Sequence, residues 1–130
     1  MSNRQKEVGC MGRFVNPDNS AFQVILNSDI YVDKTELLAY TNKALNTDRA
    51  MICNSRPRRF GKSITANMLT AYYSRGCDSD AMFADLAISK TESYKKHLNK
   101  YDVIHLDIQW CSMDAGSTKQ TVTYINTNVI

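Results

Sequence analysis

Arg56-Pro57-Arg58-Arg59-Phe60-Gly61-Lys62-Ser63 is the stretch on which the reading of this chain turns. A short apolar run, Ala50-Met51-Ile52-Cys53, precedes it, and a segment with helical spacing follows. Strand, turn ending in Gly-Lys-Ser, then helix is the layout of a phosphate-binding loop. The amides at a helix start point outward without partners, and the helix dipole favours an anion there. A lysine at the tip reaches the outer phosphates of a nucleotide, and the hydroxyl beside it can ligand Mg²⁺. Lys62 and Ser63 fit those two roles. The full pattern, G-x-x-x-x-G-K-[ST], has a first glycine where this chain has Arg56, and Pro57 removes one backbone donor. By pattern alone, a basic turn in front of a capped helix remains the alternative.

The eight residues together resemble the signature of the bacterial and archaeal AAA-ATPase-like family, P-loop proteins that often carry a nuclease-like domain near the C-terminus. Upstream, Tyr31-Val32-Asp33-Lys34-Thr35-Glu36-Leu37-Leu38 is similar to that family's Tyr-Val-Asp-Lys-Thr block. Downstream, Tyr101-Asp102-Val103-Ile104-His105-Leu106-Asp107 is similar to its second core strand. Order and spacing of the three blocks agree, and the resemblance runs from about residue 20 to 110. In that family an arginine-rich loop replaces the first glycine, so Arg56 is no departure from it. The resemblance also implies that Asp33-Lys34 stands near the nucleotide pocket, although a helix cap accounts for Asp33 by itself.

Charge distribution supports an anionic ligand. The chain carries a net charge of +3, but six basic residues and no acidic one fall between Arg49 and Cys77. The rest is slightly acidic, so the positive field belongs to the strand-loop-helix unit. A nucleoside triphosphate is the simplest partner. No basic stripe with interleaved aromatics extends beyond the loop, as a nucleic-acid surface would require. Arg58 and Arg59 either lie exposed over the loop, add guanidinium forks for the β- and γ-phosphates, or contact a neighbouring subunit or nucleic acid.

With 130 residues, 43% of them hydrophobic, the chain suits one globular unit with its own core. A complete P-loop domain needs roughly 160 to 250 residues, so this chain is expected to be the N-terminal part of one. Residues 1–20 read as a flexible polar lead and 21–130 as the truncated domain. Cysteines 10, 53, 77 and 111 form no Cys-x-x-Cys pair, which argues against zinc. Neither a signal peptide nor a stretch of about 20 apolar residues is present, so a cytoplasmic setting away from membranes is expected.

Element by element, Ala21–Leu26 reads as a helical turn or short strand. Asp33 opens a capping box with Glu36 for a helix from Lys34 to Leu45. Arg49–Asn54 is expected as a central parallel strand with Cys53 buried in it. A helix from Lys62 to Arg75 follows, with Ile64, Met68, Leu69 and Tyr72 on the face that meets the sheet and Gly76 as its stop. Phe60 would wedge the loop against the core. Thr91–Lys100 reads as a surface helix, Tyr101–Ile108 as a second parallel strand with a satisfied His105, and Thr118–Val129 as a last helix capped by Ser117. Asp107 ends the second strand, about 44 residues past the loop. That place suits the cleft edge or, alternatively, the acidic Mg²⁺ partner.

These readings converge on an α/β fold, the opening part of a P-loop NTPase three-layer sandwich with a mostly parallel sheet. The expected activity is binding of ATP (or GTP) with Mg²⁺. The cofactor-binding set is Arg58, Arg59, Phe60, Gly61, Lys62, Ser63 and Ile64, with Lys62 also catalytic and Ser63 and Asp107 at the metal. Hydrolysis would belong to the complete protein, whose partners could include nucleic acid and further copies of itself as a homo-oligomer. The rival is a non-hydrolysing interaction module whose basic loop holds a nucleic-acid phosphate or a partner's carboxylate.

Overall fold

The segment after the loop forms a helix because its apolar residues recur at i, i+4 and i+8 and it contains neither glycine nor proline. The structure, a computed structural model, describes residues 15–55, 57, 61–114, 116 and 118–128. Its helices are α1 (Ser20–Leu26), α2 (Glu36–Ala44), α3 (Lys62–Tyr73), α4 (Asp80–Phe83), a 3₁₀ turn (Ala87–Lys90), α5 (Ser93–His97), α6 (Ile108–Asp114) and α7 (Thr118–Asn128). The long central helix, α3, buries Met68, Ala71 and Tyr72 and packs on α1, while α2 packs on the 3₁₀ turn and α5, and α6 on α7.

Helices as short as α1, α4 and α5 are marginal in isolation and depend on what they bury. Here each contributes a side chain to one cluster: Phe22 from α1, Phe83 from α4 and Tyr94 from α5 meet Tyr72 and Leu38. Phe22 stacks on Phe83 with centroids 5.2 Å apart, and the Tyr72 ring meets Phe83 edge-on at 5.6 Å. Burying each such side chain contributes about 1.5–3 kcal/mol.

The tyrosine hydroxyls are satisfied inside this cluster. Tyr72 donates to the Tyr94 carbonyl at 2.9 Å and accepts from Asn42 Nδ2 at 3.1 Å. Tyr73 donates to Asn42 Oδ1 at 2.7 Å, and burial pushes its hydroxyl up to about 12, so it stays protonated. Asn42 thus ties α2 to two successive residues of α3.

The α3 C-terminus is closed from a distance. Asn99, in the left-handed region at φ 53, donates its amide to the Tyr72 carbonyl at 2.7 Å. Its Nδ2 reaches the Ser74 carbonyl at 2.7 Å and the Ala71 carbonyl at 3.1 Å, and its Oδ1 accepts from the Ser79 amide at 2.9 Å. Gly76 is not the left-handed stop expected: the helix ends at Tyr73, and a side chain at position 76 would collide with the Asn16 carbonyl.

The expected parallel sheet is overturned. The described residues contain helices and two isolated bridges but no strand ladder. Residues 50–55 carry no regular structure and lie in solvent, with Met51 98% and Ile52 45% exposed and Cys53 exposed as well. A strand is completed by neighbours that take up its amides and carbonyls, and among the described residues none lies beside this run. Tyr101–Leu106 is committed elsewhere. The Tyr101 amide donates to the Tyr73 carbonyl at 3.0 Å, and Val103 exchanges bonds with Asn16. The segment is therefore the seam between the α3 end and residues 15–16, not a second core strand.

Other boundaries shift modestly. Residues 20–26 are helical, and α2 starts at Glu36. The surface helix shortens to Ser93–His97, with Tyr94 and Leu98 buried. His105 is satisfied by the Thr70 hydroxyl at 2.8 Å. The lead up to residue 14, Ser117 and Val129 lie outside the described residues. No helix among the described residues is long and apolar enough to cross a membrane.

Asn99→Ala removes the side-chain bonds to Ala71, Ser74 and Ser79, keeps the backbone bond to Tyr72, and places a Cβ-bearing residue without a compensating side chain at positive φ. It is expected to lower unfolding free energy by roughly 2 kcal/mol in urea titrations. Asn99→Gly, which accepts positive φ freely, should recover part of that loss.

Candidate functional site

Gly61 is where the loop becomes a helix. Its φ of 84 lies in the left-handed region, and its carbonyl accepts the Thr65 amide at 2.9 Å, the first bond of α3. The amides of Lys62, Ser63 and Ile64 precede that bond and have no acceptor among the described residues, and no side chain caps the helix. Lys62 and Ser63 are exposed, Ile64 is 43% exposed, and the first turn holds no acidic residue. Three donors without an acceptor among the described residues therefore lie together with the positive end of a helix dipole.

A second lysine comes to the same place. An ideal Cβ on Gly61 would stand 3.4 Å from Lys34 Nζ. The residues on either side of Lys34 hold it there. Asp33 Oδ1 accepts from the Thr35 amide at 2.8 Å and the Thr35 hydroxyl at 2.6 Å, and Asp33 Oδ2 accepts from the Ala87 amide at 2.8 Å. Thr35 is fully buried and accepts the Ile88 amide at 3.1 Å. Asp33 and Thr35 together fasten the start of α2 to the 3₁₀ turn. The expected capping box is replaced by this arrangement: the residue before α2 is Thr35, and Glu36 returns no bond to the Asp33 amide among the described residues.

Burial pushes the Asp33 carboxyl up, but the Thr35 hydroxyl, the Ala87 and Thr35 amides and the charge of Lys90 outweigh it and hold the group below the ordinary carboxylate range.

Beside Gly61 lies a cleft of about 390 Å³. Ile25, Ile30, Val32, Ile64 and Met68 give it an apolar wall, together with Tyr31, whose ring meets Phe22 of the core edge-on at 6.1 Å. Lys34 and Gly61 line it too, with Ser28 and Thr65 as the hydroxyl-bearing members. One concavity thus joins an apolar surface to a cationic helix start, a combination suited to a ligand with a flat apolar part and an anionic tail.

The structure brings Gly61 and Ile64 to this cleft, with Lys62 and Ser63 between them in sequence. Arg56, Arg58, Arg59 and Phe60, including the wedge expected of Phe60, lie outside the described residues. Asp107 precedes α6, where its carbonyl accepts the Cys111 amide at 3.0 Å; it ends no strand and does not line the cleft. Among the described residues no group of three or more His, Cys, Asp or Glu is placed to hold a metal ion. Sequence reasoning missed Ile25 and Ile30, since isolated apolar residues in a short helix and a turn carry no periodic signal.

A family model described as predicted AAA-ATPase matches residues 19–129, and the chain belongs to this AAA-ATPase-like family. No curated protein and no solved structure matches it.

Two outcomes follow from this geometry. The folded Asp33 carboxyl titrates below its unfolded counterpart, so the unfolded chain binds more protons in that window and stability rises with pH through it. The contribution is complete above about pH 5, where the unfolded carboxyl is also ionised, and is lost as pH falls through the folded value. Wild type should therefore lose stability more steeply than Asp33→Asn as pH falls below about 5, read from urea midpoints. Gly61→Ala should lower stability by roughly 1–2 kcal/mol in the same assay, because its positive φ disfavours a Cβ.

Proposed function

We propose that this chain binds a nucleoside triphosphate with Mg²⁺, phosphates at the start of α3 and base in the adjoining cleft. The observation that carries this reading is the continuity of the apolar cleft with Gly61, beside amides that have no acceptor among the described residues. Membership of a family of predicted AAA-ATPases supports it from an independent direction. The amides of Lys62, Ser63 and Ile64 would receive phosphate oxygens, and the Lys62 ammonium would neutralise the outer phosphates. The Ser63 hydroxyl has no partner among the described residues and fits a Mg²⁺ ligand. Such an ion takes few protein ligands and completes its shell with phosphate and water, supplying charge neutralisation when bound. Arg58 and Arg59 extend the reading with guanidinium forks for a loop that has lost a glycine and a donor. Hydrolysis, where it occurs, would depend on the same positioning and charge complementarity, with Lys62 as the catalytic cation.

Calorimetric titration of the 130-residue chain with MgATP tests this. Lys62→Ala is expected to weaken binding about tenfold or more, the scale of one charge-assisted contact. Equal affinities in the two proteins would remove Lys62 from the phosphate site.

A further inference from the structure

We infer that Lys34 is a second phosphate-directed cation of this site, a role that rests on the nucleotide reading above and assigns a contact to the segment before α2. The Lys34 ammonium stands beside Gly61, at the positive end of a twelve-residue helix. Lys62 is the first residue of that helix, and the first turn offers no carboxylate. Among the described residues Lys34 has no ion pair. The Lys34 ammonium and the positive end of the helix dipole repel one another until an anion enters between them. Ordinarily a surface lysine would swing away, since its four-carbon stem is flexible. Its backbone here is fixed on both sides: Asp33 is bonded to the Ala87 amide and Thr35 is buried against Ile88.

The carboxylate of Asp33 is engaged in that attachment, with both oxygens accepting protein donors. Asp33 therefore positions the lysine. Lys34 also lines the apolar cleft, so its stem can lie along the nucleoside while its charge meets the polyphosphate. A loop with Arg56 in place of glycine and Pro57 without an amide has fewer main-chain donors to offer, and a cation delivered from outside the loop compensates.

The role predicts how affinity depends on phosphate number. Binding of ATP, ADP, AMP and adenosine is measured by calorimetry for wild type, Lys34→Met and Lys34→Arg. Lys34→Met keeps the stem and removes the charge, and circular dichroism with a urea midpoint checks that each variant is folded. It should weaken ATP about tenfold, ADP less, and leave adenosine unchanged, while Lys34→Arg stays within a few-fold of wild type. Unchanged ATP affinity in Lys34→Met overturns the inference, as does an equal loss for ATP and adenosine, which would place the side chain on the nucleoside alone. If wild type and Lys62→Ala both fail to bind any nucleotide, the nucleotide reading falls and the inference with it. If Lys62→Ala weakens ATP and Lys34→Met does not, only the inference falls.

Discussion

Tyr72 is the point at which four helices are tied together. Its ring is fully buried against Phe83 of α4 and faces Tyr94 of α5, while its hydroxyl joins Asn42 of α2 to the Tyr94 carbonyl. A buried hydroxyl left without partners costs roughly 1–3 kcal/mol. Both its donor and its acceptor side are used here, so the aromatic burial is kept without that penalty. Helices of four to seven residues gain their stability from this shared cluster rather than from propensity.

Fixing the C-terminal half of α3 frees its N-terminal half from structural duty. Asn99 and Ser79 close the far end, while the near end has neither a side-chain cap nor an acidic first turn. A helix start left uncapped is a local instability of about 1 kcal/mol. It is tolerable because the burial of Met68, Ala71 and Tyr72 anchors the same helix. The division of labour lies along a single element: packing below, and above it donors with no acceptor among the described residues.

The start of α3 was legible because its signals are local. Gly61 before Lys62 marks the helix start to the residue, since positive φ, free amides and a following apolar period all act within one turn. The tyrosine-containing block at 31–38 was visible as a unit, and its fastening to Ala87 and Ile88 explains why Asp33 and Thr35 stand where they do. Asn99 was not legible. Its positive φ and its hold on α3 exist only once residues 71–79 arrive beside it, and an asparagine in a turn gives no hint of which carbonyls it will meet.

The sheet failed for a related reason. Ala50–Cys53 and Val103–Leu106 have the composition of buried strands, but composition reports only what a segment would bury, not what will cover it. Strand pairing is a property of two segments at once, and here the bonding groups of 101–103 go to Tyr73, Arg75 and Asn16. That choice leaves Ile104 exposed while Thr70 of α3 takes His105. It also separates the two questions that a strand-loop-helix pattern appears to answer together. The helix start at Gly61 and the segment that brings Lys34 to it are both present among the described helices, with no strand beside them.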